Sequence, residues 1–235
     1  MNIVITGASQ GIGYATAIEL AKSAEHTIVC IARNQQKLVS LKNEAEGINQ
    51  KATIIPIAFD LTKLSQNTEE LGRSIKGYMD KIDILINNAG LLYAKPLTEL
   101  CIEEIRNVVE VNYLAPMLLI KQLLPLMGNS SHVVNISSMG GFQGSVKFPG
   151  LSVYASSKAA LASLTENLAE ENKNSGISFN CLALGATDTE MLREAFPDYK
   201  APLTAHEMAG FIAYFAIHGH KFFNGKILPV SVSTP

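Results

Sequence analysis

The side chains best suited to proton transfer are a tyrosine and a lysine one helical turn apart. Tyr154 and Lys158 are spaced i, i+4 at the start of a helix-like stretch, so both lie on one helical face. A free phenol has a pKa of about 10 and transfers protons poorly near neutral pH. A nearby ammonium favours the phenolate, so the pair predicts a phenol of lowered pKa that works as general acid and base. Ser137 and Ser138 end a preceding strand-like run and offer a hydroxyl that could hold a carbonyl oxygen.

A glycine-rich turn near the start of the chain is typical of phosphate binding. Residues 6–13 read Thr-Gly-Ala-Ser-Gln-Gly-Ile-Gly, between a strand-like run and a helical pattern. Gly7 permits a tight turn, Gly11 lets the backbone approach a pyrophosphate, and Gly13 lets the helix pack closely on the sheet. The free N–H groups of that helix face the phosphates. The turn therefore predicts a dinucleotide site; an ordinary glycine-rich connection is the alternative.

The end of the second strand-like run predicts which dinucleotide is bound. NAD-specific sites usually place a carboxylate there for the ribose 2′-hydroxyl. This chain has Arg33 instead, whose guanidinium can pair with a 2′-phosphate. We therefore expect NADP(H) to be favoured, with NAD(H) use left open; a solvated surface arginine is the alternative.

Strand-like and helix-like stretches alternate along the whole chain. Seven runs are rich in β-branched residues, several of them apolar on both faces, at residues 2–6, 27–31, 52–57, 82–87, 132–137, 177–183 and 225–230. Helix-like stretches lie between them at residues 12–23, 35–46, 64–79, 97–127, 155–173 and 205–218, the fourth kinked or divided at Pro116 and Pro125. No linker or composition break interrupts residues 1–235. The pattern predicts an α/β fold: a single doubly wound (Rossmann) domain whose parallel sheet of about seven strands has helices on both faces.

These motifs, in this order, resemble the classical short-chain dehydrogenase/reductase family along essentially the whole chain. The resemblance rests on the Gly-x-x-x-Gly-x-Gly spacing of residues 7–13, the Asn-Asn-Ala-Gly block of residues 87–90, and the pair Tyr154 and Lys158. It implies hydride transfer between a nicotinamide and a carbonyl or secondary alcohol carbon of a small-molecule substrate.

The resemblance also implies roles for individual residues. Tyr154 is the acid/base, Ser138 holds the carbonyl oxygen because the family uses the second serine of the pair, Lys158 holds the nicotinamide ribose, and Asn112 joins a water-linked proton relay. The implied cofactor-binding set is Gly7, Ser9, Gln10, Gly11, Ile12, Gly13, Arg33, Asp60, Leu61, Asn88, Ala89, Gly90, Tyr154, Lys158, Gly185, Thr187 and Thr189. Asp60 is the adenine contact, and the Thr187 backbone and Thr189 hold the nicotinamide carboxamide; Thr189 could equally be a helix N-cap.

The chain departs from the family pattern at several positions. Gln10 stands where NADP-type members often carry a basic residue, and Leu184 where the family usually has proline. The connection through Gly140–Gly150 is longer than usual, which predicts either a pocket-shaping insertion or a surface loop. The segment from Thr189 to a helix near Ala205 is short, which indicates an open site or a bulky substrate. The usual Asp-Gly-Gly near the end is absent, which puts the usual tetramer contacts in doubt.

Composition excludes several other functions. A net charge of −2 without a basic block argues against nucleic-acid binding. The apolar stretch 208–217 is too short to span a bilayer, and nothing precedes the first strand, so a cytoplasmic protein without a membrane segment is expected. The three cysteines are expected to be core residues in a reducing compartment. The five histidines show no metal spacing beyond His218-Gly219-His220, a pair more typical of a solvated turn, so no catalytic metal is expected.

The sequence is also compatible with two functions other than net oxidation or reduction, and the resemblance predicts an oligomer. A cofactor-binding regulator or scaffold could keep the fold without turnover, and an epimerase or dehydratase could retain its nicotinamide. The resemblance implies a homodimer or homotetramer in which the stretches 97–127 and 155–173 pair across a dimer; otherwise they simply cover the sheet.

Overall fold

The seven predicted strands form one parallel sheet. The structure is a computed structural model that describes residues 1–23, 25–67 and 69–232; residues 233–235, within the predicted domain, lie outside the described residues. The sheet strands are β1 Asn2–Thr6, β2 Thr27–Ala32, β3 Thr53–Ala58, β4 Ile84–Asn87, β5 His132–Ser138, β6 Ser178–Leu184 and β9 Lys226–Val230. Each strand end lies within two residues of its predicted position.

The strand order creates a binding crevice next to β1. The order is β3-β2-β1-β4-β5-β6-β9, and all neighbours are parallel. The chain moves outward from β1 to β2 and β3, then returns to pair β4 on the other side of β1. Connections that leave in opposite directions open a crevice at the carboxyl ends of the strands, where ligands bind in open α/β sheets. The predicted doubly wound fold is confirmed.

Helices cover both faces of the sheet, as alternate strand residues require. The helices are α1 Gly11–Ser23, α2 Gln35–Ile48, α3 Glu70–Lys76, α4 Ile102–Val109, α5 Ala115–Leu123, α6 Ser152–Glu171 and α8 Ala205–His218. Ile3 and Ile5 of β1 share one core with α1, α2 and α8. Val4, between them, belongs to the opposite core with α3, α5 and α6.

Two predicted helices are wrong in their extent. Of the described residues within the stretch 64–79, only those of α3 are α-helical, and a 3₁₀ turn at Leu61–Lys63 precedes them. The stretch 97–127 begins with a separate 3₁₀ turn, and α4 is joined to α5 by a π-helical turn at Glu110–Leu114. Pro116 lies in the first turn of α5, where its missing N–H removes the donor for the carbonyl of Asn112. The wider π turn accommodates that loss, and such turns are frequent at functional sites.

The segment after β6 contains structure that the sequence did not predict. A short helix, α7 Glu190–Ala195, begins directly after Thr189, and two short parallel strands, β7 Thr187–Asp188 and β8 Leu203–Thr204, close its base. The expectation that the chain reaches its next helix only near Ala205 is therefore wrong. A six-residue helix is too short for periodicity to distinguish it from a loop. We refer to residues 187–204 as the lid.

The cysteines, the helix lengths and the grouping of possible metal ligands can be compared with the expectations from composition. Cys30 and Cys181 are buried, but Cys101 is exposed at the N-cap of α4, so its expected core position is wrong. Among the described residues, no helix combines the length and apolar character that a bilayer crossing requires. Within the same ranges, no group of three or more His, Cys, Asp or Glu side chains is arranged to hold a metal ion.

Candidate active site

The glycine turn between β1 and α1 is held against the end of β4. Gly7 and Gly11 adopt φ of 69° and 57°, which glycine reaches without strain. A Cβ on Gly7 would lie 2.7 Å from the Ala89 Cα, and one on Gly13 would lie 2.3 Å from the Asn88 Nδ2. The turn is therefore packed as the sequence predicted, with α1 close to the sheet and its free N–H groups at the crevice.

Asn88 and Thr6 fix the turn to β4 by hydrogen bonds. The Asn88 amide nitrogen donates to the carbonyls of Thr6 (3.0 Å) and Gly7 (3.2 Å). The Thr6 hydroxyl accepts from the backbone N–H groups of Asn88 (3.1 Å) and Ala89 (3.0 Å). The Asn-Asn-Ala-Gly block thus supports the crevice floor, and its last three residues line the crevice.

Two cations lie at the end of the crevice beyond β2. Arg33 follows β2 and is exposed. Lys37, in the first turn of α2, donates from its Nζ to the Gln10 Oε1 at 2.6 Å. Asn34 caps α2 by accepting from the Lys37 N–H at 3.0 Å. Lys37 was not singled out from the sequence, although a cation in the first turn after the second strand was a signal available there.

Asp60 and Leu61 form the outer wall of the same end. Asp60 caps the 3₁₀ turn Leu61–Lys63, and its Oδ1 accepts from the backbone N–H and hydroxyl of Thr62 at 3.1 and 2.9 Å. Leu61 is largely buried. The carboxylate is therefore held in position at the crevice edge after β3.

The two serines at the end of β5 have different partners. Ser137 donates its hydroxyl to the carbonyl of Lys158 at 2.8 Å, which ties β5 to α6. Ser138 accepts from the Gly140 N–H at 3.1 Å, and its side chain is near enough to Tyr154 to lower the pKa of that phenol. Tyr154, in the first turn of α6, thus lies beside the serine that the resemblance selected.

The expected lowering of the Tyr154 pKa is wrong in this structure. Burial raises the pKa of the phenol, and the hydrogen bond with Ser138 lowers it by less. Lys158 Nζ lies 6.0 Å from the centre of the tyrosine ring and donates to the Ile136 carbonyl at 2.7 Å. Burial also lowers the pKa of Lys158 to about 8. The i, i+4 spacing brings the pair together, but loss of solvent favours the neutral form of each group.

Asn112 lies in the π turn, behind the crevice wall. Its Oδ1 accepts from the Leu91 N–H at 2.8 Å, and its Nδ2 donates to the Leu91 carbonyl (2.9 Å) and the Ser157 hydroxyl (3.0 Å). A Cβ on Gly90 would lie 3.6 Å from Lys158 Nζ and 3.8 Å from Asn112 Oδ1. Gly90 therefore lies close to both Asn112 and Lys158. Ser157 was missed from the sequence because only the fold brings it to Asn112.

The lid begins over the glycine turn. Gly185 donates its N–H to the Val230 carbonyl at 2.9 Å, and a Cβ there would lie 2.3 Å from the Ser231 Oγ. The Thr189 hydroxyl accepts from the Leu192 N–H at 3.2 Å and so caps α7. A Cβ on Gly11 would lie 3.5 Å from Thr189 Cγ2. The threonine therefore serves as an N-cap and also faces the turn across the crevice.

These elements enclose one cleft of about 790 Å³. With the exception of Asn112, every site residue predicted from the sequence lines it, including Ser9 and Ile12. The cleft has the glycine backbone that a pyrophosphate requires, cations at one end, and the Tyr154 and Ser138 hydroxyls at the other. The residues present therefore fit an extended dinucleotide.

Comparisons with known proteins agree with this geometry. The model of the short chain dehydrogenase family matches residues 1–200. An uncharacterized oxidoreductase of Staphylococcus epidermidis is 28% identical over 213 residues, which are 90% of this chain and 88% of that protein. The NADP-dependent 3-hydroxy acid dehydrogenase of Schizosaccharomyces pombe is 32% identical over 191 residues, 80% of this chain and 72% of that protein.

Solved structures show the same relationship. The crystal structure of a short-chain dehydrogenase of Shigella flexneri complexed with NADP superposes with a TM-score of 0.88 at 27% identity, covering 97% of this chain and 95% of that one. The family match spans most of the chain and includes the glycine turn, Ser138, Tyr154 and Lys158. The chain belongs to the short-chain dehydrogenase family and is a nicotinamide-dinucleotide-dependent oxidoreductase.

Proposed function

We propose that the protein is an NADP(H)-preferring oxidoreductase that moves a hydride between nicotinamide and a carbonyl or secondary alcohol carbon. The observation that carries the proposal is that Tyr154 and Ser138 line one dinucleotide-shaped cleft close enough for Ser138 to lower the pKa of the phenol, with buried Lys158 one helical turn away. We also propose that residues 1–235 act as a single cofactor-binding and catalytic domain.

The proposed chemistry assigns a proton to each step. In reduction, Tyr154 gives its phenolic proton to the carbonyl oxygen, and Ser138 donates a hydrogen bond to the same oxygen. When bound, the dinucleotide supplies the hydride to the carbonyl carbon, or accepts it in oxidation. Lys158 holds the ribose and passes a replacement proton to Tyr154 from a relay that includes Asn112. The raised pKa keeps Tyr154 protonated at neutral pH, which is the form that reduction requires.

Several observations support a preference for NADP(H). Arg33 and Lys37 provide two cations at the ribose end of the cleft, and Lys37 lies next to Gln10, the position where a basic residue was missing. A phosphate dianion between two cations gains charge-assisted hydrogen bonds that a 2′-hydroxyl cannot match. The NADP in the Shigella flexneri structure and the name of the Schizosaccharomyces pombe relative agree with this preference.

The Tyr154→Phe variant tests the catalytic proposal. It removes only the phenolic oxygen, so we expect NADPH oxidation with a panel of ketones and aldehydes to fall at least about a thousandfold, within the range of general acid catalysis and oxyanion stabilisation combined. NADPH affinity, measured by nucleotide fluorescence, should change less than about threefold.

Each alternative function gives a different result in the same assays. A regulator or scaffold binds NADPH, yet the wild-type protein oxidises it with no carbonyl in the panel. An epimerase or dehydratase converts its substrate with no net change in the absorbance of free cofactor. Either result contradicts the proposal.

We further propose a homodimer built on α4 and α6. A surface groove of about 340 Å³ runs between these helices and is lined by Leu97, Val109, Tyr113 and Val153 among others. Leu97 and nearby Ile102 are 59% and 63% exposed, which is unusual for large apolar side chains close together. Light scattering should give twice the 25.3 kDa chain mass. Leu97→Glu with Ala160→Glu should produce monomers, whereas Tyr214→Glu on α8 should not; a monomeric wild type contradicts the proposal.

A further inference from the structure

The connection between β5 and α6 is longer than the family pattern, and the side chain of one lysine bridges its first residues by hydrogen bonds. The Lys147 ammonium donates to the carbonyls of Gly140 (2.9 Å) and Phe142 (2.7 Å) and to the Ser145 hydroxyl (2.9 Å). Three oxygens on one ammonium hold residues 140–147 as a closed turn. The Ser145 hydroxyl contacts the Phe142 carbonyl at 2.8 Å, which adds a second link inside the turn.

The far end of the same connection is tied to the segment after β4. Gly150 adopts φ of 80°, and its carbonyl accepts from the Lys95 N–H at 3.1 Å. A Cβ on Gly150 would lie 3.4 Å from that nitrogen, so the two backbones are in close contact. Phe148 therefore extends from a connection that is anchored on both sides.

Phe148 meets an aromatic residue of the lid. Its ring centre lies 6.4 Å from that of Phe196, with an angle of 62° between the planes, which is an edge-to-face contact. Both residues line the cleft, and Phe148 is 44% exposed. Because Phe148 follows β5 and Phe196 follows α7, this pair joins the two segments that border the Tyr154 end of the cleft.

Apolar side chains from the segments next to this aromatic pair and the catalytic hydroxyls line the cleft, where the lid also contributes Glu190 and Tyr199. Met139, Leu151 and Leu184 are largely buried, and Leu92 and Met191 are half-buried; all five line the cleft.

The cleft's cations lie elsewhere. Arg33 and Lys37 lie beyond β2, three strand positions from β5, which is roughly 14 Å at the usual spacing. Lys158 is committed to the Ile136 carbonyl and the proposed relay. The Lys147 ammonium is on the connection itself, but it already donates to three oxygens there and does not line the cleft. A charged group on the substrate would therefore lose its hydration here without gaining an uncommitted counter-ion from the side chains that line this end of the cleft.

We infer that the substrate is a neutral carbonyl compound or secondary alcohol with an apolar ring or chain next to the reacting carbon, and that Phe148 selects it. The inference rests on the proposed hydride transfer at Tyr154. In reduction, the carbonyl carbon takes the hydride of NADPH and the oxygen takes the Tyr154 proton, leaving an alcohol and NADP⁺. The apolar group lies against Phe148 and Phe196, and its burial supplies binding energy. Phe148 acts as a specificity residue and takes no part in proton transfer.

The kinetic test uses two ketones with the same reacting carbonyl. Acetophenone and 4-acetylbenzoate differ by one carboxylate, and we expect kcat/KM with NADPH to favour acetophenone by at least about tenfold. Phe148→Ala should lower kcat/KM for acetophenone about tenfold, with less effect on 4-acetylbenzoate. Phe148→Leu, which keeps apolar bulk, should recover part of the loss. Phe222→Ala, which removes a ring that is 75% exposed outside the cleft, is the matched control and should change neither value.

A binding test separates this inference from the proposed function. The affinities of 1-phenylethanol and 4-(1-hydroxyethyl)benzoate for the protein–NADPH complex are measured by nucleotide fluorescence, since neither alcohol can react with NADPH. If neither ketone is reduced, the proposed function fails, but tighter binding of 1-phenylethanol that Phe148→Ala weakens still supports an apolar pocket. Equal or tighter binding of the carboxylate overturns the inference. So does an unchanged preference in both Phe148 variants when these retain wild-type NADPH affinity.

Discussion

Arg33 and Lys37 line the same end of the cleft but belong to different segments. Arg33 is the residue after β2, and Lys37 is in the first turn of α2, held near the glycine turn by Gln10. A single cation would favour binding of NADP(H) over NAD(H) only modestly. Two cations that contact different oxygens of the 2′-phosphate would make additive contributions to the binding free energy. Under the proposed preference for NADP(H), the pair compensates for the glutamine that stands at the usual basic position.

Removing either cation should therefore lower affinity for the phosphorylated cofactor selectively. We expect Arg33→Ala to weaken NADPH binding about tenfold and Lys37→Ala about three- to tenfold, with NADH binding changed less than about twofold, because only NADPH carries the 2′-phosphate. Titrations with both nucleotides by fluorescence measure this. Lys42→Ala, farther along α2, is the control. An equal loss for NADH and NADPH would show that the cations do not contact the 2′-phosphate.

Packing of α1 on β4 depends on the absence of one side chain. A Cβ on Gly13 would lie 2.3 Å from Asn88 Nδ2 and 2.4 Å from the Gly7 carbonyl oxygen. Backbone cannot move aside as the end of a flexible side chain can, so the helix itself must shift. That shift would move the N–H groups that face the phosphates.

We therefore expect two glycine-to-alanine substitutions in helices to change the free energy of unfolding in opposite directions. Gly13→Ala should destabilise the protein by about 2 kcal/mol through overpacking and weaken NADPH binding. Gly210→Ala, within α8 where nothing lies within 4 Å of a new Cβ, should stabilise it by about 0.5–1 kcal/mol. Denaturant unfolding measures both. A neutral Gly13→Ala would mean that α1 can move without cost.

The whole molecule carries a pH sensitivity far from the active site. His132 begins β5 and is fully buried, about 20 Å along the strand from Ser138. Its Nδ1 lies 2.9 Å from the Ala216 carbonyl, and its Nε2 lies 3.0 Å from the Asn180 amide nitrogen. Burial lowers the pKa of His132 from 6.5 to about 4. The fold therefore stabilises the neutral ring, which joins α8 to two central strands.

Because the folded state lowers the pKa of His132, the protein should lose stability as the pH falls. Above pH 6.5 the ring is neutral in both states; as the pH falls from 6.5 to about 4, the unfolded chain binds the proton first and stability is lost. We expect His132 to contribute a loss of about 2 kcal/mol between pH 7.5 and pH 5. Unfolding curves of His132→Gln at the two pH values should lack this loss, whereas exposed His206→Gln should retain it. Identical pH dependence in His132→Gln and wild type would contradict the assignment.

Local signals in the sequence predicted the fold and most of the residues that line the cleft. Continuous apolar runs such as Ile3–Ile5 identify buried strands, because a parallel strand covered on both faces has no exposed side. The glycine turn and the spacing of Tyr154 and Lys158 depend on neighbouring residues along the chain. Such patterns are written in the order of the residues, so they could be read without coordinates.

Contacts between residues that are far apart in the sequence became known only from the tertiary structure. Lys37 beside Gln10, Asn112 bound to Leu91 and Ser157, and Phe148 against Phe196 each join residues from separate elements. The raised pKa of Tyr154 likewise results from burial by several elements at once. The periodicity of a sequence indicates which side of a helix or strand is apolar, but not which other element packs on that side. The pKa values of the site depend on that packing, because it decides which groups are removed from water.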